Sequence, residues 1–301
     1  MDDKTSGPAD KTSISYRAVM LNYNNKLSVV IWNVINIKLV SLKVRFNLKC
    51  QWRITKYNPL YRNEKGHYLL DEWTCPSEIG KIINGQLFTL EDYLLIEHAY
   101  VETIIEFLNE KKLYSLRLIQ TSNNSISQEE KTSVLYDHEF GMINIKEDLI
   151  VNINEIRIIC KMILRNFADC QLISKDNFFV HFGWDYYMYI GSSQKSLTAI
   201  EFAKNNGLYV EKFFSPYYFE EKDTTRLVQW SEVGAEIPLV IGDEEIVNVP
   251  LEEYRKIFNL SEEHPVFGYF EITKDYRDFF QIFLSHKMDF TKYEYGLWAG
   301  N

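Results

Sequence analysis

Between Asn177 and Glu211 apolar runs alternate with short breaks, and the breaks fall where turns and caps belong. Phe178 to Phe182 and Tyr186 to Ile190 are β-branched and aromatic runs on either side of Gly183-Trp184-Asp185, which predicts a hairpin with a short loop. Phe178, Val180 and Phe182 share one alternating face, Phe179 and His181 the other. A strand with no polar face belongs inside a sheet covered on both sides. Ser196 is placed to cap a helix over Leu197 to Lys204, Gly207 to close it, and Leu208 to Phe214 resumes a strand. Upstream, Asn154 precedes Ile156, Ile159, Cys160, Ile163, Leu164 and Phe167. That spacing of threes and fours predicts a helix over 154–167 covering the sheet.

Earlier in the chain Leu27 to Trp32 predicts a strand. Lys43 to Lys49 alternates with Val44, Phe46 and Leu48 inward, and Gln51 to Thr55 repeats the pattern. A loop over 58–73 and a short helix over 76–83 follow. Thr89-Leu-Glu-Asp92 has the form of a helix cap, and the helix is predicted to reach Lys111 on a stripe of Leu90, Tyr93, Leu94, Val101, Ile104, Ile105 and Leu108. His98 sits beside that stripe, as a hydrogen-bonded core histidine would. Leu113 to Gln120 predicts a strand. The polar stretch 121–133, TSNNSISQEEKTS, is the expected domain boundary. Beyond it come strands at Val134 to Phe140 and Met142 to Ile145, then a hairpin of Glu236–Val240 and Glu245–Val249 about Gly242-Asp243. A helix at Leu251 to Phe258, a strand at Val266 to Ile272 and a final helix on Tyr276, Phe279, Phe280, Phe283 and Leu284 complete the series. The expected class is α+β. A polar tail (1–13) and a basic β-rich unit with helices (14–120) precede the loop, and an acidic α+β domain (134–301) carries a central antiparallel sheet.

The 301 residues are long enough for one large or two ordinary domains, and 46% hydrophobic with 15% aromatic residues excludes a largely disordered chain. Cys50, Cys75, Cys160 and Cys170 form no CxxC pair, which points to free thiols in a reducing cytosol. The first residues lack the apolar core of a secretory signal, and Ser28 to Ile37 is too short to span a bilayer, so a cytoplasmic protein without membrane contact is expected.

Charge changes the picture. Ile14 to Lys65 holds ten Lys/Arg against Glu64 alone, a balance of +9, and the first thirteen residues carry −1, which leaves −17 on Gly66 to Asn301. Lys43, Arg45, Lys49 and Arg53, with Lys56 beyond, form a cationic strand face near Tyr57 and Tyr61 that would suit nucleic acid. The alternative is a solvated face, or one docked on the acidic remainder. Acids gather at 220–223, at Asp243, Glu244 and Glu245, at Glu252 and Glu253, and at 262–263, a surface suited to a basic protein partner. Chemistry is sparse. No phosphate-binding glycine loop or hydrolase motif is present, and no cofactor or metal is expected. Asp137-His138-Glu139 would point to opposite faces of a strand, so they would not converge on a metal. His181 and Asp185 flank the hairpin turn and are the one arrangement from which a general base could be built.

The phrases HFGWDYYMYIG (181–191) and AIEFAKNNGLYVE (199–211) resemble bacterial immunity-type proteins that accompany polymorphic or contact-dependent toxins. That resemblance implies a cytoplasmic protein that neutralises a cognate toxin by forming a stoichiometric complex. It carries no functional residue over. Two other readings stand beside it: nucleic-acid binding through 38–56, and an enzyme centred on His181.

Overall fold

A computed structural model describes residues 17–23, 26–32, 48–122, 126–174, 178–218, 221–235 and 239–300. They include strands β1 (Arg17–Tyr23), β2 (Lys26–Trp32), β3 (Cys50–Thr55), β4 (Ile82–Ile83) and β5 (Gln86–Leu87), then helix α1 (Leu90–Lys111) and strand β6 (Ser115–Ile119). β7 (Ile150–Asn152), α2 (Ile153–Leu164), β8 (Gln171–Ser174), β9 (Phe178–Phe182), β10 (Met188–Ser192), α3 (Leu197–Asn205) and β11 (Tyr209–Lys212) follow. The last elements are β12 (Thr225–Glu232), β13 (Gly242–Glu245), α4 (Leu251–Ile257), β14 (Gly268–Ile272), α5 (Arg277–Gln281) and β15 (Tyr293–Gly300). The fold is α+β with antiparallel pairing throughout the described ladders. The chain divides into two compact units. The larger comprises 45–226, 247–270 and 298–301, and the smaller 1–44, 227–246 and 271–297.

The larger unit is a seven-stranded sheet in the order β11-β3-β10-β9-β8-β6-β7. Register sets its core. Ile190 stands opposite both Trp52 and Val180, Val180 opposite Leu172, and Leu172 opposite Leu118, one apolar row across five strands. Helices α1, α2 and α3 bury their stripes against this row, with Trp52 packed on Phe107 at 5.4 Å. Tyr93, Tyr100, Ile104, Phe107 and Leu108 of α1 are all sealed from solvent. Each such side chain contributes about 1.5–3 kcal/mol by leaving water. The opposite face buries Leu48, Phe179 and Tyr189 beneath Tyr187, Tyr217 and Tyr218.

Local signals behave as their chemistry demands. Thr89 Oγ1 accepts the Asp92 N–H at 3.1 Å while Asp92 accepts the Thr89 N–H at 2.9 Å, a reciprocal cap that starts α1, and Lys112 closes it in the left-handed region. The cap of α2 is Asn152, two residues before the expected Asn154, because Asn152 reaches the Glu155 N–H and Glu155 reaches back. Along α1 the expected stripe is buried at Tyr93, Val101, Ile104, Ile105 and Leu108, whereas Leu94 and His98 face solvent and Glu97 is buried. Arg165 explains it, since its Nε and Nη2 donate to the Glu97 carboxylate at 2.6 and 2.7 Å.

Several expected elements differ. The stretch 121–133 divides no domains, because β6 before it pairs with β8 after it, and β3 pairs with β10 and β11. The expected helix at 76–83 is a single 3-10 turn, Pro76–Glu78, followed by β4. Val134 to Phe140 forms no strand; His138–Met142 is a 3-10 turn started by Asp137. Gly242-Asp243 is no hairpin tip but the start of β13, which pairs with β12. Trp230 lies over Gly242, where an added Cβ would come within 2.4 Å of the ring, so the glycine provides room for the indole. The expected strand 43–49 lies mostly outside the described residues, and Leu48 and Lys49 precede β3. A four-stranded sheet has the order β13-β12-β15-β14.

Candidate functional site

His181 lies on β9 and is buried, 3% exposed. Its ring stacks on Phe179 at 4.1 Å, and its Nδ1 is hydrogen-bonded to Ser215 Oγ at 2.9 Å. Ser215 is itself held, its N–H donating to Gln51 Oε1 and its Oγ accepting the Tyr217 N–H. Burial depresses the imidazole to about 3. The imidazole is thus neutral, stacked and sealed in the packed face of the sheet, the setting of a core histidine. Asp185 is exposed in the turn beyond, at positive φ. Asp137, His138 and Glu139 belong to a turn, not to a strand, and His138 Nδ1 lies 3.1 Å from Asp137 in open solvent. Among the described residues no group of three or more His, Cys, Asp or Glu side chains is arranged to hold a metal ion.

Two cations of the expected strand face, Arg53 and Lys56, are held in internal pairs. Arg53 Nη2 and Arg62 Nη1 both donate to one carboxylate oxygen of Glu211, at 3.0 and 2.6 Å, and Arg53 lies over the Phe213 ring at 4.3 Å. Lys56 pairs with Glu72 at 3.2 Å between the Tyr57 and Trp73 rings, and burial pulls its ammonium down to about 8 although Glu72 raises it. Arg53, expected on a face open to nucleic acid, is paired inside the fold. Lys49 is exposed, and Lys43 and Arg45 lie outside the described residues.

These buried cations anchor a segment with several exposed apolar side chains. The loop 57–73 is a hydrogen-bonded hairpin: the Leu69 N–H donates to the Tyr61 carbonyl at 2.8 Å and the Asn63 N–H to the His67 carbonyl at 2.9 Å. Asn58 Oδ1 accepts the Leu60 N–H at one end, and Tyr57 Oη donates to the Trp73 carbonyl at the other. Tyr68 packs on Tyr57 at 5.0 Å, and Arg62 fastens the middle to Glu211. Above this footing Leu60 is 85% exposed and Leu69 63%, with Tyr61 and Leu70 beside them in solvent. Apolar side chains clustered on an ordered surface hairpin mark a contact surface. Sequence reading placed a loop here and missed the surface, although the leucine and tyrosine pairs at 60–61 and 69–70 were visible.

The expected acidic contacts separate into two groups. Asp243 and Glu245 point to solvent, whereas Glu244 turns inward and accepts the Ser285 N–H, the Ser285 hydroxyl and the His286 N–H. Those bonds hold its carboxyl below the usual range against the opposing effect of burial. Glu244 thus secures the 285–286 turn. Glu252 and Glu253 are exposed in the first turn of α4, Glu252 lying 3.7 Å from Arg255.

The architecture belongs to the general class of α+β proteins. Residues 226–298, less than half of the chain, match a domain of unknown function, DUF7683. No curated protein and no solved structure matches the chain. The phrases at 181–191 and 199–211 lie outside the matched segment. Among the described residues no helix is long and apolar enough to cross a membrane.

Proposed function

We propose that the protein works by stoichiometric binding to a protein partner, as a cytoplasmic immunity protein that neutralises a cognate bacterial toxin without turnover. The observation that carries this reading is the apolar crest of the 57–73 hairpin, Leu60, Tyr61, Leu69 and Leu70, held rigid by Arg62 and Glu211. Ordering the crest before contact lowers the entropy cost of association. The exposed acids Asp243, Glu245, Glu252 and Glu253 supply a field that steers a basic partner. The resemblance of 181–191 and 199–211 to immunity-type proteins supports the same reading. The nucleic-acid reading through strands 38–56 is weaker, because Arg53 is spent on Glu211.

The test is co-purification of the full chain with the products of its neighbouring genes, followed by titration calorimetry of the captured pair. One-to-one binding weakened at least tenfold by Leu60→Asp or Leu69→Asp supports the proposal. Neutralising Asp243 and Glu245 should slow association at low salt and leave dissociation nearly unchanged. No captured product, or capture unaffected by both leucine variants, overturns it.

A further inference from the structure

The smaller unit holds a groove of 660 Å³ between residues 274–277 and the 287–293 turn that leads into β15. Its charge stands against its surroundings. Segments 227–246 and 271–297 contain four Lys/Arg and ten Asp/Glu. All four cations, Lys274, Arg277, Lys287 and Lys292, line the groove, and of the ten carboxylates only Asp289 does. Asp289 is largely occupied: one oxygen accepts the Thr291 N–H and hydroxyl, and the other lies 3.6 Å from Lys292. Three exposed cations thus face a groove whose one lining carboxylate, Asp289, is engaged by Thr291 and Lys292. The same groove presents Phe290 and Tyr293, half-buried and fixed against Tyr295 at 4.9 and 6.3 Å. Cations that track a backbone beside fixed aromatic rings are what single-stranded nucleic acid requires, phosphates for the one and a base face for the other. An acidic peptide would use the cations and leave the rings without a role.

We propose that this groove binds one or two nucleotides of single-stranded nucleic acid, Lys274, Arg277 and Lys287 holding phosphates while Tyr293 and Phe290 take a base. The site is separate from the 57–73 hairpin, so its failure leaves the proposed function standing.

The experiment is fluorescence anisotropy of a fluorescein-labelled twelve-nucleotide oligothymidylate with the full chain, across a series of KCl concentrations. The expected slope of log affinity against log salt is roughly −2, from about 0.7 per neutralised phosphate over three cations. Lys274→Gln and Lys287→Gln should each weaken binding several-fold and flatten the slope by about 0.7. Tyr293→Leu, which keeps an apolar body in β15, should weaken binding with the slope unchanged. Lys256→Gln, exposed on α4 and outside the groove, should change neither. The proposal is overturned if the oligonucleotide does not bind, if the groove variants bind like the parent, or if polyglutamate of equal charge competes as strongly as unlabelled oligonucleotide.

Discussion

His181 makes folding stability depend on pH in a way that separates a core histidine from a catalytic one. An unfolded histidine titrates near 6.5, whereas burial holds the folded imidazole at about 3. Between these values the unfolded chain binds a proton that the folded chain refuses. Stability therefore rises with pH across that window and falls as acid is added, by about 1.4 kcal/mol per pH unit where the difference is complete. From pH 7 to pH 5 the loss is about 2 kcal/mol, and at pH 4 about 3 kcal/mol. The stacked Phe179 ring and the Ser215 hydroxyl give the proton no compensating carboxylate. The assay is urea unfolding of the parent chain and His181→Gln at pH 7, 6 and 5, followed by circular dichroism, with the His181 ring proton shift recorded by NMR. The glutamine keeps a polar partner for Ser215 and does not titrate. The stability difference between the two chains should shift by about 2 kcal/mol in favour of the variant between pH 7 and pH 5. Parallel pH profiles, or a ring shift titrating near 6.5, would refute the reasoning and reopen His181 as a base.

Three further outcomes follow from the packing. Glu97→Leu or Arg165→Met alone should cost about 3–5 kcal/mol by stranding a buried charge, while the double variant should cost less than either, measured by equilibrium unfolding. Gly191→Ala should destabilise by about 1–3 kcal/mol, since its Cβ would meet the Phe179 ring at 2.1 Å, and Phe179→Leu on the same background should recover part of the loss. Cys160 and Cys170, buried and with thiols pushed up by that burial, should resist Ellman's reagent until the chain unfolds, and Cys75 should react in the native state.

The elements legible in the sequence are those whose evidence is local. Thr89 and Asp92 announced α1 because a cap is a bond between residues three apart, and Ile156, Ile159 and Ile163 announced α2 because one helical face repeats every three or four positions. The hairpin about Trp184 was equally plain, since its two strands and its turn are contiguous. The antiparallel sheet under a helical layer, and with it the α+β class, follows from these periods. Strand neighbours are another matter. β3 lies between β10 and β11, separated from them by more than a hundred residues, and no period in the chain encodes that choice. The polar stretch 121–133 looked like a boundary for the same reason: polarity reports exposure, and an exposed loop joins strands of one sheet as well as it joins two domains. Site chemistry depends on those long-range placements too. Lys43, Arg45, Lys49 and Arg53 read as one cationic face, yet Arg53 meets Glu211 from a strand 158 positions away, and Glu244 meets Ser285 from 41 away. Sequence by itself determined the elements with a local cap or a sustained period, α1, α2, α3 and the β9–β10 hairpin. Only the tertiary structure decided which charges meet, because Coulomb pairing and hydrogen bonding act over a few ångströms of space and are blind to distance along the chain.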